Sequence, residues 1–313
     1  MKLATILHKG RPMVAVVDPA GSYYWPLDDV IPGLPDRVAQ DMVVAITHLS
    51  HLSGMDMPET PGHSLDSARI LAPIPAPPHN IMCVGKNYRA HAHEFSKSGF
   101  DAGSTAADAI PDYPIIFTKP SGSISGPTDD IPLWPGTDAA VDYEAELAVV
   151  IGKGGRAISR ADALSHVFGY TIINDVTARD LQRQHKQWFL GKGIDGFGPM
   201  GPWIVTADEI DGSELRVTCR VNGELRQNSS TADLIFDVPH LIETISRSVT
   251  LCPGDIIATG TPEGVGIGFD PPRFLAEGDV VEVEISRIGK LRNVVRRAQV
   301  ESTDSKRTLM DAK

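Results

Sequence analysis

Between Val141 and Ile151 the chain reads V-D-Y-E-A-E-L-A-V-V-I, with acids at alternate positions: Asp142, Glu144 and Glu146. Leu147 to Ile151 is an unbroken apolar run of strand-forming residues. Residues two apart on a strand share a face, which places the three carboxylates side by side. Like charges crowded on a partly buried strand are costly unless a cation sits among them. All-oxygen donors of this kind suit Mg²⁺, Mn²⁺ or Ca²⁺. Taken alone, the pattern is more simply a solvated strand face, because exposed acidic pairs are common.

Other residues offer chemistry of a different type. His91 and Glu94 lie three apart in R-A-H-A-H-E-F, a helix-compatible stretch, and so face the same way. A histidine beside a carboxylate is a usable general base, although an isolated pair is more often a surface salt bridge. Lys192 stands between two glycines, where a tight bend would aim its ammonium into a cleft; an exposed loop lysine is the plainer reading. Arg179 and Gln182 share one face of the segment that starts at Thr177. Gly152-Lys153-Gly154-Gly155 lacks the spacing of a phosphate loop. His48, His51 and His63 are scattered and read as surface or packing residues.

The elements that must hold these residues follow from periodicity. Residues 3–8 and 12–17 alternate as two strands, with a third over 22–26, and 36–52 carry apolar residues at helical spacing with Asp36 as N-cap. Four prolines within residues 71–78 make a stiff connector, so residues 1–72 are expected to form a small N-terminal α+β domain, 73–300 the main domain and 301–313 a flexible tail. In the main domain, strands are expected over 81–84, 114–119, 167–174 and 255–259, a helix over 237–247 and a hairpin over 280–295. A second hairpin turns at Asn222-Gly223, the strongest short-range hairpin signal. Residues 96–112, rich in Ser, Gly, Ala and Asp, read as a loop, equally a lid over a site or a disordered insertion.

With 313 residues, 42% of them apolar and 22% charged, the chain has enough material for a sizeable core. A net charge of −11 argues against nucleic acid as a partner and means that an anionic substrate needs a local positive centre. Three widely spaced cysteines make neither a disulfide framework nor a metal motif, no apolar run has membrane-spanning length, and no signal-peptide core follows Met1. A cytoplasmic protein with no membrane partner is expected.

Six motifs, in order, resemble the fumarylacetoacetate hydrolase family over residues 81–295. They are Gly85-Lys86-Asn87-Tyr88 with His91 and Glu94; Phe117-Thr118-Lys119-Pro120; Asp142 to Leu147; Asn174 to Asp180; Gly191-Lys192-Gly193; and Thr259 to Gly266. The resemblance implies an α+β, β-rich fold, a mixed β-sheet roll, in a homodimer that binds a small anionic keto acid. It implies Glu144, Glu146 and Asp175 as ligands of Mg²⁺, Mn²⁺ or Ca²⁺, and Asp142 as a non-ligand. It makes His91, Glu94 and Lys192 catalytic, with Arg179, Gln182 and Thr261 as substrate contacts. The expected reaction is hydrolytic C–C cleavage of a 1,3-diketo acid, an acylpyruvate or a 2,4-dioxo acid. Glu94 would orient His91 to activate water, and Lys192 would steady the oxyanion. Decarboxylation or tautomerisation of oxaloacetate-like or 2-hydroxy-dienoic acids at the same site is the alternative. A non-catalytic metal-binding scaffold is the alternative of another class. The N-terminal unit is similar to the accessory domain of the family's bacterial-type members, which implies aromatic- or sugar-acid catabolism.

Overall fold

A computed structural model of the chain describes residues 1–49, 58, 60–99 and 110–299. The apolar run after the acids forms the strand Ala145–Ile151, buried along its whole length. It runs antiparallel to Val167–Asn174 on one side and to Ile256–Ala258 on the other. Ile256–Ala258 pairs in parallel with Ile81–Gly85, which pairs with Ile115–Lys119. On the far side, Val167–Asn174 pairs with Gly198–Thr206, and this strand takes the N-terminal strand Lys2–His8 as its next neighbour. The N-terminal strands therefore continue the same sheet.

A second sheet lies on one face. It comprises Arg216–Val221, Glu224–Ser230, Val280–Ile285, Gly289–Arg297 and Ile131–Leu133. Its strands alternate, with Val217, Cys219 and Val221 buried and Arg216 and Arg220 exposed. The inward residues meet Leu147, Val149 and Ile151 in one core. Ala148 and Val150 point the other way, into a core closed by Val38, Met42, Ala45, Ile46 and Leu49 of the N-terminal helices. Strict period-2 alternation explains why a continuous apolar strand is needed here: both of its faces are covered.

Several expectations change in detail. The acidic strand is not continuous: Val141–Asp142 pairs separately with Thr177–Ala178, and Tyr143 and Glu144 form a break before Ala145. The helix expected over 36–52 is two helices, Asp36–Gln40 and Met42–Leu49. Asp36 lies inside the first helix, and Asp41 accepts the Val43 and Val44 N–H groups to start the second. Lys192 closes the short helix Phe189–Lys192 rather than sitting in a bend. Its neighbour Gly191 is required by close packing, since a Cβ there would stand 2.7 Å from the Gln182 backbone nitrogen. The Asn222-Gly223 turn is as expected, with both residues at positive φ. The expected tail, most of the 96–112 loop and the end of the 36–52 helix lie outside the described residues.

Candidate metal centre and active site

Antiparallel pairing brings the acids together. Ala145 is opposite Asn174, so the start of one strand meets the end of the next. The Asp175 N–H then donates to the Glu144 carbonyl at 2.8 Å, and the Asn174 side chain accepts the Glu144 N–H at 2.9 Å. As a result Glu144, Glu146 and Asp175 each offer a carboxylate oxygen within 4.8 Å of the others, and all three are buried. Parallel pairing carries Gly85 to the same end, followed by the helix Arg89–Lys97 with His91 and Glu94.

Three buried cations stand among these acids. Lys192 Nζ lies 2.7 Å from Glu144 Oε2 and 2.7 Å from Asp175 Oδ2. Lys119 Nζ lies 2.8 Å from Asp175 Oδ1. Arg179 bridges Asp142 through Nε at 2.9 Å and Glu144 through Nη2 at 2.7 Å, and donates to Gln182 at 3.1 Å. Asp142 also accepts the backbone N–H groups of Gly266 and Ile267 at 2.6 and 3.1 Å. Its oxygens are thus committed to a cation and the backbone.

The charges do not balance. Asp142, Glu144, Glu146 and Asp175 face Lys119, Arg179 and Lys192, all buried. Burial pushes the Glu144 carboxyl up, but Lys192 and Arg179 outweigh it and hold it at about 2. Burial and the charges of Asp175 and Glu144 push Glu146 well above the usual carboxylate range. Among the described residues no cationic side chain pairs with Glu146, whose contact is the Gly260 N–H at 2.9 Å. A divalent cation removes this conflict. Three oxygen donors leaving open positions fit Mg²⁺ or Mn²⁺, which keep waters or substrate oxygens as further ligands.

His91 and Glu94 form the expected pair, with Nδ1 3.1 Å from Oε2. Glu94 Oε1 accepts the Gly264 N–H at 2.9 Å, which fixes the carboxylate. Gly268 permits that placement, because a Cβ there would stand 1.8 Å from Glu94 Oε1. With Nδ1–H donated to Glu94, the other ring nitrogen is left as the base. His91, Glu144, Glu146, Arg179, Gln182 and Lys192 line one narrow pocket, together with Thr261. Thr261 Oγ1 accepts from Gln227 Nε2 at 2.8 Å, and Gln227 also accepts the Ala145 N–H, tying the second sheet to the site.

Sequence reading gave no role to Lys119, Asn174, Gln227, Lys86 or the aromatic wall. A detectable signal existed for Lys119: a lysine ending the apolar strand I-I-F-T-K must find an acid if it is buried, and it is fully buried. Gln227 and the wall of Phe95, Phe117 and Trp188 carry no local signal, since they come from three separate segments. A second group of metal-ligand types, His79, Cys252 and Asp255, lies outside this site. No helix among the described residues is long and apolar enough to cross a membrane.

Comparison with known proteins gives a consistent result. The oxaloacetate tautomerase YisK of Bacillus subtilis is 52% identical over 234 residues, 74% of this chain and 75% of that protein. The mitochondrial oxaloacetate tautomerase Fahd2a of Rattus norvegicus is 41% identical over 290 residues, 92% of this chain and 88% of that one. Among solved structures, the fumarylacetoacetate hydrolase of Exiguobacterium antarcticum superposes with a TM-score of 0.80 at 42% identity, covering 95% of this chain and 100% of that one. A maleylpyruvate hydrolase from Sphingobium, in complex with manganese and pyruvate, gives 0.72 at 31% identity over 96% of this chain and 100% of its own. The family model for the fumarylacetoacetate hydrolase C-terminal domain matches residues 80–296, and the chain belongs to that family.

Proposed function

We propose that the protein is a divalent-metal-dependent oxaloacetate tautomerase, interconverting the keto and enol forms of a small 2-oxo acid. The observation that carries this reading is one narrow pocket that joins an under-neutralised carboxylate cluster to an oriented histidine base. The relatives named for this reaction, at 41% to 52% identity, support it. The priority given to hydrolysis by the sequence is thereby reversed.

Glu144, Glu146 and Asp175 would hold the cation, which supplies Lewis-acid polarisation of the 2-oxo group when bound. The remaining work falls to side chains of this chain. His91, held by Glu94, takes a proton from the carbon next to the ketone through its free ring nitrogen. Charge then develops on the ketone oxygen, where Lys192 and Arg179 keep positive charge in a site shielded from water. Return of that proton from the His91 imidazolium to the oxygen completes the enol and restores the neutral base; the reverse steps return the ketone. Gln182 and Thr261 orient the acid in the pocket.

A second reading, hydrolysis of an acylpyruvate, is supported by the same His91–Glu94 pair, which suits activation of water, and by the neighbour named maleylpyruvate hydrolase. One experiment separates the two. The purified protein with Mg²⁺ or Mn²⁺ should accelerate decay of the ultraviolet absorbance of enol-oxaloacetate without releasing pyruvate. No acceleration over buffer rejects tautomerisation, and release of two acids from acylpyruvates selects hydrolysis.

A further inference from the structure

The segment over residues 259–275 gives backbone N–H groups to three carboxylates of the site. Gly260 donates to Glu146 Oε2 at 2.9 Å, Gly264 to Glu94 Oε1 at 2.9 Å, and Gly266 and Ile267 to Asp142 at 2.6 and 3.1 Å. Its first part is anchored from the protein side. Gln227 Nε2 donates to Thr261 Oγ1 and to the Pro262 carbonyl, each at 2.8 Å, and the Tyr143 hydroxyl donates to the Gly264 carbonyl at 2.9 Å. Gly264 has a φ of 95° and lies against the Arg226 carbonyl, where a Cβ would stand 1.9 Å away, so only glycine permits this approach.

Beyond Gly266 the segment folds back on itself: the Arg273 N–H donates to the Gly266 carbonyl at 2.9 Å, and the Leu275 N–H to the Val141 carbonyl at 2.8 Å. Phe269 lies within that return and is half-buried. Two guanidinium groups lie over its ring, Arg226 at 5.0 Å and Arg273 at 4.7 Å from the centre. Glu224 joins them: Oε2 lies 3.0 Å from Arg226 Nη2 and Oε1 2.9 Å from Arg273 Nη1. A guanidinium group is attracted to an aromatic face, and a shared carboxylate fixes the two relative to each other. Glu224 and Arg226 belong to the strand Glu224–Ser230, so these four residues fasten the folded-back segment to the second sheet.

We propose that Phe269, clamped by Arg226 and Arg273, is a positioning residue for the His91–Glu94 base. The clamp fixes the folded-back segment, the segment fixes the Gly264 N–H, and that N–H fixes the carboxylate that orients His91 Nδ1. A second contact is more direct. Gly268, next to Phe269, packs against Glu94 so closely that a Cβ would stand 1.8 Å from Oε1, so a displaced Phe269 is felt at the carboxylate. The metal-binding end is held separately, since Gly260 follows the strand Ile256–Ala258 and Gln227 anchors Thr261 and Pro262. The proposal rests on the reading above for His91 as the base. Misplacing a catalytic group by about 1 Å costs up to about 100-fold in rate.

The test is Phe269→Ala in the Mg²⁺-loaded protein, with Phe269→Tyr as the variant that keeps a ring face. Phe269→Ala should lower kcat about 10- to 100-fold, with KM and the Mg²⁺ affinity by calorimetry changed less than about 2-fold, and Phe269→Tyr should recover most of the loss. Amide hydrogen exchange over residues 264–267 should be about 10-fold faster in Phe269→Ala, while the strand Ala145–Ile151 stays as protected as in the wild type. Should Phe269→Ala also expose that strand, Arg273→Gln, at an exposed position, replaces it with the same expectations. An unchanged kcat in an active enzyme overturns the proposal, and so does an equal loss in kcat and in Mg²⁺ affinity. Unchanged exchange over residues 264–267 overturns it whatever the activity. Should the wild type fail to tautomerise oxaloacetate, faster exchange in Phe269→Ala that Phe269→Tyr reverses leaves the clamp standing, and the reaction assignment falls.

Discussion

Among the described residues, two groups of metal-ligand residue types occur, Glu144–Glu146–Asp175 and His79–Cys252–Asp255, and both bring ligand atoms within 4.8 Å. They differ in what their charges demand. Asp255 is satisfied without a metal: His79 Nδ1 lies 2.9 Å from Oδ1, and the Cys252 N–H donates to Oδ2 at 2.7 Å, closing the turn before Ile256–Ala258. His79 is half exposed, so water serves it as well. Around the first group, the three acids and Asp142 beside them meet three buried bases, and Glu146 is the acid left over. Proximity of ligand atoms is common to both; a surplus of buried negative charge belongs to one.

The largest expected effect comes from removing that surplus. Glu146→Gln should reduce metal affinity by more than the roughly 100-fold that loss of an outer partner gives, and bring activity to background. The metal-free variant should be at least as stable as metal-free wild type, because a neutral amide replaces a carboxyl that burial and the charges of Asp175 and Glu144 disfavour as an anion. Calorimetry and thermal unfolding check both, and a destabilised metal-free variant would contradict the imbalance described here. Arg179→Met works in the other direction. It strands Asp142 and Glu144 without their shared cation and should destabilise the protein by about 3–5 kcal/mol in denaturant titration.

Metal linkage gives a smaller effect. At 100 times the dissociation constant, Mg²⁺ or Mn²⁺ should stabilise the wild type by about 2.7 kcal/mol, and chelation should reverse this. His79→Ala should retain the full shift. Its loss there would move the metal to the second group. The smallest effect is expected for Asp255→Ala, which leaves the part-buried Cys252 N–H without its acceptor at a cost of about 1 kcal/mol and leaves metal affinity and activity unchanged.

The strands and hairpins were largely legible because each rests on local pattern. Asn222-Gly223 reads as a hairpin turn because two adjacent residues must take positive φ, and they do. Ile81–Gly85, Ile115–Lys119 and Val167–Asn174 read as strands from apolar runs. The break at Tyr143 and Glu144 was not legible, because Asp142 is drawn away by Arg179 and by the Gly266 and Ile267 N–H groups, which are distant in sequence. The short helix that carries Lys192 was hidden for a related reason: two flanking glycines suggest a bend, whereas Gly191 is there for close approach to Gln182.

By itself, the sequence determined the chemistry on offer. Alternating acids at the mouth of an apolar strand, a histidine three residues before a glutamate and a lysine between glycines are properties of neighbouring residues, and local rules suffice to read them. Only the tertiary structure decided how those charges sum. Lys119, Arg179 and Lys192 reach the acids from different elements, and whether a buried carboxylate keeps a neutralising partner depends on every element that packs against it. Electrostatic interaction inside a protein depends on distance and burial, and neither is a property of position along the chain.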